Sequence, residues 1–283
     1  MSILDNLNIT KQDLTAVDVS PQELWDQHSV RADVKVDKPP VAVSIGQDYS
    51  YQPSVPYLLY TYGNISLMLG QEKVGKSFAK SLILAGALGG KSNFYTERIQ
   101  GHGLEHKFVI ELDTEQDKFY TQWNRKRVVS MVGSEPVNYI TQSWRALSTE
   151  SKLIQLDWLF TQSPYKDKLG LVFIDGYVDL VKDFNSLTES REFVEKLMIY
   201  SEKANCHISG ILHLNPGSEK GRGHLGTVLQ QKCETVIQVV KEEGYVTLKP
   251  MRTRGKSWDE LNFEIIGGLP KEKDVLNSMT DIL

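Results

Sequence analysis

The segment Gly70-Gln71-Glu72-Lys73-Val74-Gly75-Lys76-Ser77 constrains this chain more than any other. It follows a short apolar run at 65–69 and precedes a stretch of small and apolar residues at 77–88, closed by Gly89 and Gly90. A strand, a glycine loop and a helix in that order satisfy G-x-x-x-x-G-K-[ST] at every fixed position. Glycines let the backbone wrap closely around an anion. The loop N–H groups and the N-terminus of the following helix favour negative charge. Lys76 is placed to reach the terminal phosphates of a nucleotide such as ATP, and the Ser77 hydroxyl to ligate Mg²⁺. Gln71, Glu72, Lys73, Val74 and, just past the octapeptide, Phe78 complete the run laid against the phosphates. The competing reading is a chance glycine turn ahead of a core helix. The strand before it and the helix after it weigh against that.

Around this loop the pattern alternates. Strands are expected at 65–69, 108–112, 171–174 and 208–212, and helices at 77–88, 115–129, 151–162 and 190–204. Continuous apolar runs of this kind mark buried parallel strands. Residues 235–240 and 245–249 read as a hairpin around Glu242-Glu243-Gly244. The sum is an α/β domain with a mostly parallel sheet flanked by helices and antiparallel C-terminal strands. Its expected span is 56–270. Ahead of it, residues 1–55 read as an irregular leader with one short helix near 21–28, a candidate docking arm for a protein partner. Residues 271–283 read as a tail, and 91–106 as a loop insertion without a motif.

With 32 basic and 36 acidic residues among 283, the formal net charge is -4. Any contact with a polyanion must therefore come from local basic patches. Cys206 and Cys233 have neither CxxC nor zinc-site spacing and read as reduced thiols. No secretory signal and no membrane-spanning apolar run is visible, which points to a cytoplasmic protein without a membrane partner.

The loop needs acidic partners. Asp175 ends the run 171–174, and ligands in open α/β sheets bind at the carboxyl ends of strands. Asp175 is therefore the candidate support for Mg²⁺, with an N-cap or turn role as the alternative. Asp179 is a weaker candidate for the same task, with a turn or cap role as its alternative. Glu115, just after the strand at 108–112, is placed to polarise an attacking water. Its alternative is a helix-start glutamate favoured by the dipole, and Glu111 and Asp113 are its rivals. Arg125-Lys126-Arg127 reads as a solvated helix face. Phe119, Tyr120 and Trp123 read as core rather than as a base-stacking platform.

The ordered set formed by the 70–77 loop, Asp113-Thr114-Glu115-Gln116, Ile174-Asp175-Gly176 with Asp179-Leu180, His213, and Arg222-Gly223-His224-Leu225-Gly226-Thr227 resembles the RecA-fold P-loop ATPases. Within these it is most similar to the RepA-like ATPases of bacterial mobile elements and the DnaB-type replicative helicases. The resemblance covers about residues 56–270. It implies a RecA-like P-loop NTPase core that hydrolyses ATP with Mg²⁺, assembles as a homo-oligomeric ring, a hexamer, and acts on single-stranded DNA. It favours Glu115 as the catalytic glutamate and makes His213 a γ-phosphate sensor, against a plain strand-capping histidine. It implies that the mobile stretch 217–224 lines a DNA channel, with Lys220, Arg222 and His224 as contacts, against a solvated connector. Arg252 and Arg254, two apart and on one side if extended, become candidate arginine fingers for a neighbouring subunit, against a solvated basic turn or a DNA-phosphate patch. No DnaB-like N-terminal helical domain and no primase signature accompany these motifs. A second reading of the same residues is an ATP-switched assembly or regulatory protein that recruits a partner through 1–55 without unwinding DNA. A third, a small-molecule kinase, lacks a visible acceptor-site motif.

Overall fold

The computed structural model describes residues 20–89, 98–215, 217, 218 and 220–272. Part of the expected leader, the start of the 91–106 insertion and nearly all of the expected tail lie outside these residues.

The chain divides into Met1–Pro39 and Pro40–Leu283. In the first unit, α1 (Pro21–Gln27) opens on a capping box: Ser20 accepts from the Glu23 N–H, and Glu23 accepts from the Ser20 N–H. Both orphan donors are satisfied locally. This is the short helix expected near 21–28.

The second unit begins earlier than the sequence suggests. β1 (Val41–Asp48) pairs antiparallel with β2 (Val55–Thr61) and with β4 (Ile99–Gly101). The boundary expected at residue 55 thus falls at the first residue of β2. The prolines at 39, 40, 53 and 56 read as irregular chain, but they sit at the strand ends and in the turn between them. There a missing N–H costs little.

The large sheet holds nine strands in the order β12-β11-β10-β9-β3-β8-β7-β5-β6. Its members are β3 (Ile65–Gly70), β5 (Phe108–Asp113), β6 (Tyr139–Ser143), β7 (Leu169–Asp175), β8 (His207–His213), β9 (Thr235–Glu242), β10 (Tyr245–Arg252), β11 (Leu261–Ile266) and β12 (Leu269–Glu272). From β6 through β9 all neighbours are parallel; from β9 to β12 they are antiparallel. The α/β class and its antiparallel C-terminal strands are as expected. β6, β11 and β12 are additions, and β12 carries the domain to residue 272.

β3, β7 and nearly all of β8 are buried along their length, as strands covered on both faces must be. The helices are α2 (Lys76–Ala87), α3 (Lys118–Val132), α4 (Thr149–Thr161), α5 (Leu187–Lys203) and α6 (Gly223–Lys232). α2 is buried almost all round, and a Cβ on its Gly86 would lie 2.5 Å from Ile99 Cγ2, so β4 can press on the helix only at a glycine. No helix of the described residues is long and apolar enough to cross a membrane.

Candidate functional site

The parallel register brings chosen residues to one edge. Gly70 pairs with His213, and Asp113 with Asp175. Because β8 lies between β3 and β7, the end of β8 projects between the 70–77 loop and Asp175.

The loop geometry demands its glycines. A Cβ on Gly70 would lie 2.8 Å from the Val239 carbonyl oxygen. Gly75 has φ +100° and precedes α2 as its N-cap; a Cβ there would meet Val246 Cγ2 at 2.9 Å. Gly75 makes no side-chain cap, so the first N–H groups of α2 remain for an outside acceptor. Lys76 is buried, with 8% of its surface exposed. Its Nζ donates to the carbonyl oxygens of Gly70 (3.1 Å) and Gln71 (2.5 Å) and to His213 Nδ1 (3.2 Å). Burial pulls its pKa below the ordinary lysine value.

A lysine ammonium can only donate, so His213 Nδ1 accepts and Nε2 carries the proton. Nε2 lies 3.6 Å from Glu115 Oε1. Lys76, His213 and Glu115 form a chain across three elements. The His213 imidazole beside it, with Lys76 and Lys80 further off, holds the Glu115 carboxyl below its ordinary pKa.

The three neighbouring acids have separate environments. Glu111 is fully buried; it accepts from the Tyr139 hydroxyl and lies 2.6 Å from Lys80 Nζ as a charge contact rather than an aligned hydrogen bond. Asp113 is turned inward. Its Oδ1 accepts from the N–H groups of Glu115 (3.2 Å) and Gln116 (2.8 Å), and its Oδ2 from the Thr121 hydroxyl. Burial pushes its pKa up to about 6. Glu115 alone keeps a partly open carboxylate, with its side chain 32% exposed. Asp113 therefore builds the turn on which Glu115 is mounted.

Asp175 is paired internally: its Oδ2 accepts from Lys80 Nζ at 2.6 Å. Lys80 stands one turn beyond Lys76 and is wholly buried between Asp175 and Glu111. Burial pushes the Lys80 pKa down, but Asp175, Glu111 and Asp113 more than offset this and hold the ammonium above the ordinary lysine range. Sequence reasoning missed Lys80. Its signal was a lysine inside the apolar run 77–88, where a charge needs partners. Asp179 has the turn role: its Oδ2 accepts from the Thr114 hydroxyl (2.7 Å), which accepts in turn from the Gly176 N–H.

Magnesium takes hard oxygen donors and keeps several waters beside one or two protein ligands and phosphates. Ser77, half-buried at the start of α2, and the second carboxylate oxygen of Asp175, which has no protein partner among the described residues, fit that demand. Among the described residues no three His, Cys, Asp or Glu side chains cluster to hold a metal by themselves.

The remaining candidates sit elsewhere. Lys220, Arg222 and His224 are exposed at the base of α6, with the Arg222 guanidinium 5.0 Å over the Phe184 ring. Leu214 and Asn215, which lead into this stretch, are tied to the 70–77 loop, since Gln71 Nε2 donates to the Asn215 carbonyl (3.1 Å) and the Leu214 N–H to the Gly70 carbonyl (3.3 Å). Arg252 ends β10 and its Nη1 donates to the carbonyls of Gln230 (2.8 Å) and Gln231 (2.9 Å), capping the last turn of α6 in its own chain. Arg254 lies beyond the strand, exposed. The two arginines thus do not share one extended segment.

Two expectations on α3 are overturned. Phe119, Tyr120 and Trp123 are exposed rather than core, because α3 buries Thr121, Asn124, Arg127, Val128 and Met131 instead. Of the basic triplet only Lys126 is a solvated charge. Arg127 is buried, stacked 4.0 Å over the Phe78 ring, and Arg125 donates to the Tyr139 carbonyl and pairs with Glu135.

The fold and site define an α/β protein that gathers a glycine loop, a lysine, a histidine and carboxylates at the carboxyl edge of its parallel strands. No protein-family model matches the sequence, and no curated protein matches it.

Proposed function

We propose that this chain is a Mg²⁺-dependent ATPase with a RecA-like core, which assembles as a homo-oligomeric ring, a hexamer, on single-stranded DNA. The observation that carries the reading is the contact chain Lys76–His213–Glu115 beside a loop that only glycines can build. The 70–77 loop holds the triphosphate, and Lys76 exchanges its loop carbonyls for phosphate oxygens. Mg²⁺, when bound, neutralises charge on the phosphates; Ser77 and Asp175 would hold it. A water oxygen bonds to the γ-phosphorus as the bond to the ADP oxygen breaks, and Glu115 takes the water's proton. His213, whose Nε2 faces Glu115 at 3.6 Å, turns its N–H to the γ-phosphate when that acceptor is bound.

The Gln71–Asn215 contact supports coupling to the 217–224 stretch, where Lys220, Arg222 and His224 would meet DNA phosphates. Arg252 and Arg254 would act across a subunit boundary only after Arg252 leaves α6. That internal engagement is what favours the second reading, an ATP-switched assembly protein with little turnover.

The test is phosphate release from Mg-ATP, with and without single-stranded DNA, in the wild type and Glu115→Gln. DNA stimulation that disappears in the variant supports the motor. Hydrolysis indifferent to DNA favours the switch.

A further inference from the structure

We propose that the cleft between α2 and α3 beside Ser77 seats the planar base of a nucleotide, with Phe119 and Trp123 as its stacking surface. The proposal rests on the 70–77 loop being a phosphate site, and it assigns residues to the part of the ligand that the loop cannot hold.

The cleft encloses about 420 Å³, within the ~300–1,000 Å³ of small-molecule sites. Ser77 and Phe78 line it, so it is continuous with the phosphate loop. On this proposal a ligand whose phosphates lie on that loop extends its other end past Ser77 and Phe78 into the cleft. The Phe78 ring is already covered on one face by the Arg127 guanidinium at 4.0 Å. Phe119 and Trp123 stand one turn apart on α3, their centroids 6.2 Å apart and their planes inclined by 34°. They are 62% and 57% exposed.

Rings so exposed add little to the core; the residues that α3 buries are Thr121, Asn124, Arg127, Val128 and Met131 instead. The aromatic side is thus open towards the cleft, in the manner of surfaces on which bases stack. Stacking accepts any base, because each has a π-face. Discrimination would come from Gln116 and Asn124, whose carboxamides line the same cleft. The Asn124 oxygen accepts from Arg127 Nη1 (3.1 Å), which leaves its NH₂ to donate to an acceptor on the base edge.

The experiment is calorimetric titration of the full chain with Mg-ATP and with Mg-tripolyphosphate, in the wild type and in Phe119→Ala/Trp123→Ala. Both positions are exposed, and unchanged circular dichroism checks the fold. The proposal predicts that the double variant loses about ten- to hundredfold in ATP affinity and keeps its tripolyphosphate affinity. Unchanged ATP affinity, or equal losses for both ligands, overturns it. So does a wild type that binds tripolyphosphate as tightly as ATP, although the phosphate-loop reading then stands. A wild type that binds neither removes that reading and the proposal with it. A variant that changes its self-association while ATP affinity holds makes the rings a contact between copies, which also overturns the proposal.

Discussion

Replacing Lys80 by Met is the sharpest perturbation that the structure offers. The ammonium is wholly buried and lies 2.6 Å from both Glu111 and Asp175. Methionine keeps most of the side-chain volume, so the cost is electrostatic rather than a cavity. Two carboxylates, one fully buried and the other 9% exposed at its side chain, would then face each other without a cation. Breaking a buried pair by removing one partner costs about 3–5 kcal/mol, and the same loss is expected here at pH 7. It would be read as a lower urea midpoint at unchanged m-value. Burial disfavours the charged form of a carboxylate that has lost its cation, so the variant gains stability relative to wild type as pH falls. Each unit recovers at most about 1.4 kcal/mol per carboxylate. Lys80→Met/Glu111→Gln, which retains the Tyr139 contact, should recover about 1–2 kcal/mol of the single variant's loss. A loss below about 1 kcal/mol at pH 7, or one that grows as pH is lowered, would mean that Lys80 does not neutralise these two carboxylates.

Three further outcomes are expected. Gly75→Ala forces an L residue to φ +100° and against Val246; it should cost about 1–2 kcal/mol by chemical unfolding and abolish ATP binding by calorimetry. His207 is fully buried, with Nδ1 against the Thr61 carbonyl and Nε2 against the Ser66 hydroxyl, and burial pushes its pKa down to about 3. It therefore contributes stability above its ordinary pKa of ~6.5 that is lost as pH falls towards 3. Glu234, raised by burial and 3.6 Å away, works in the opposite direction; thermal melts at pH 7 and pH 5 should show a smaller acid loss in His207→Gln than in wild type. Arg252→Ala removes the cation at the C-terminus of α6 and should cost about 0.3–1 kcal/mol by urea unfolding, whereas no change would mean that the arginine is not a cap.

The parallel core was legible because β3, β5, β7 and β8 are apolar runs, and the strand–loop–helix geometry at 65–87 because its residue types and their order carry it. Glu115 could be ranked but not separated from Glu111 and Asp113. What separates them is burial and the Asp113 turn, which depend on Tyr139 and Thr121 folding back on them. Lys80 escaped because its partners lie 31 and 95 residues away on other strands. The Arg252 cap escaped because its acceptors are main-chain carbonyls 21 and 22 positions distant. β1 and β2 were hidden by prolines that the fold places at strand ends. α3 misled because its aromatic side is the exposed one, and the polar Thr121, Asn124 and Arg127 find partners inside.

Equilibrium titration of the wild type and Lys76→Ala with Mg-ATP tests whether the 70–77 loop and Lys76 hold a nucleoside triphosphate. Saturable binding in the wild type, weakened at least tenfold or about 1.4 kcal/mol in the variant, is the predicted result. Equal affinity in the two proteins, or no binding by the wild type, would contradict it.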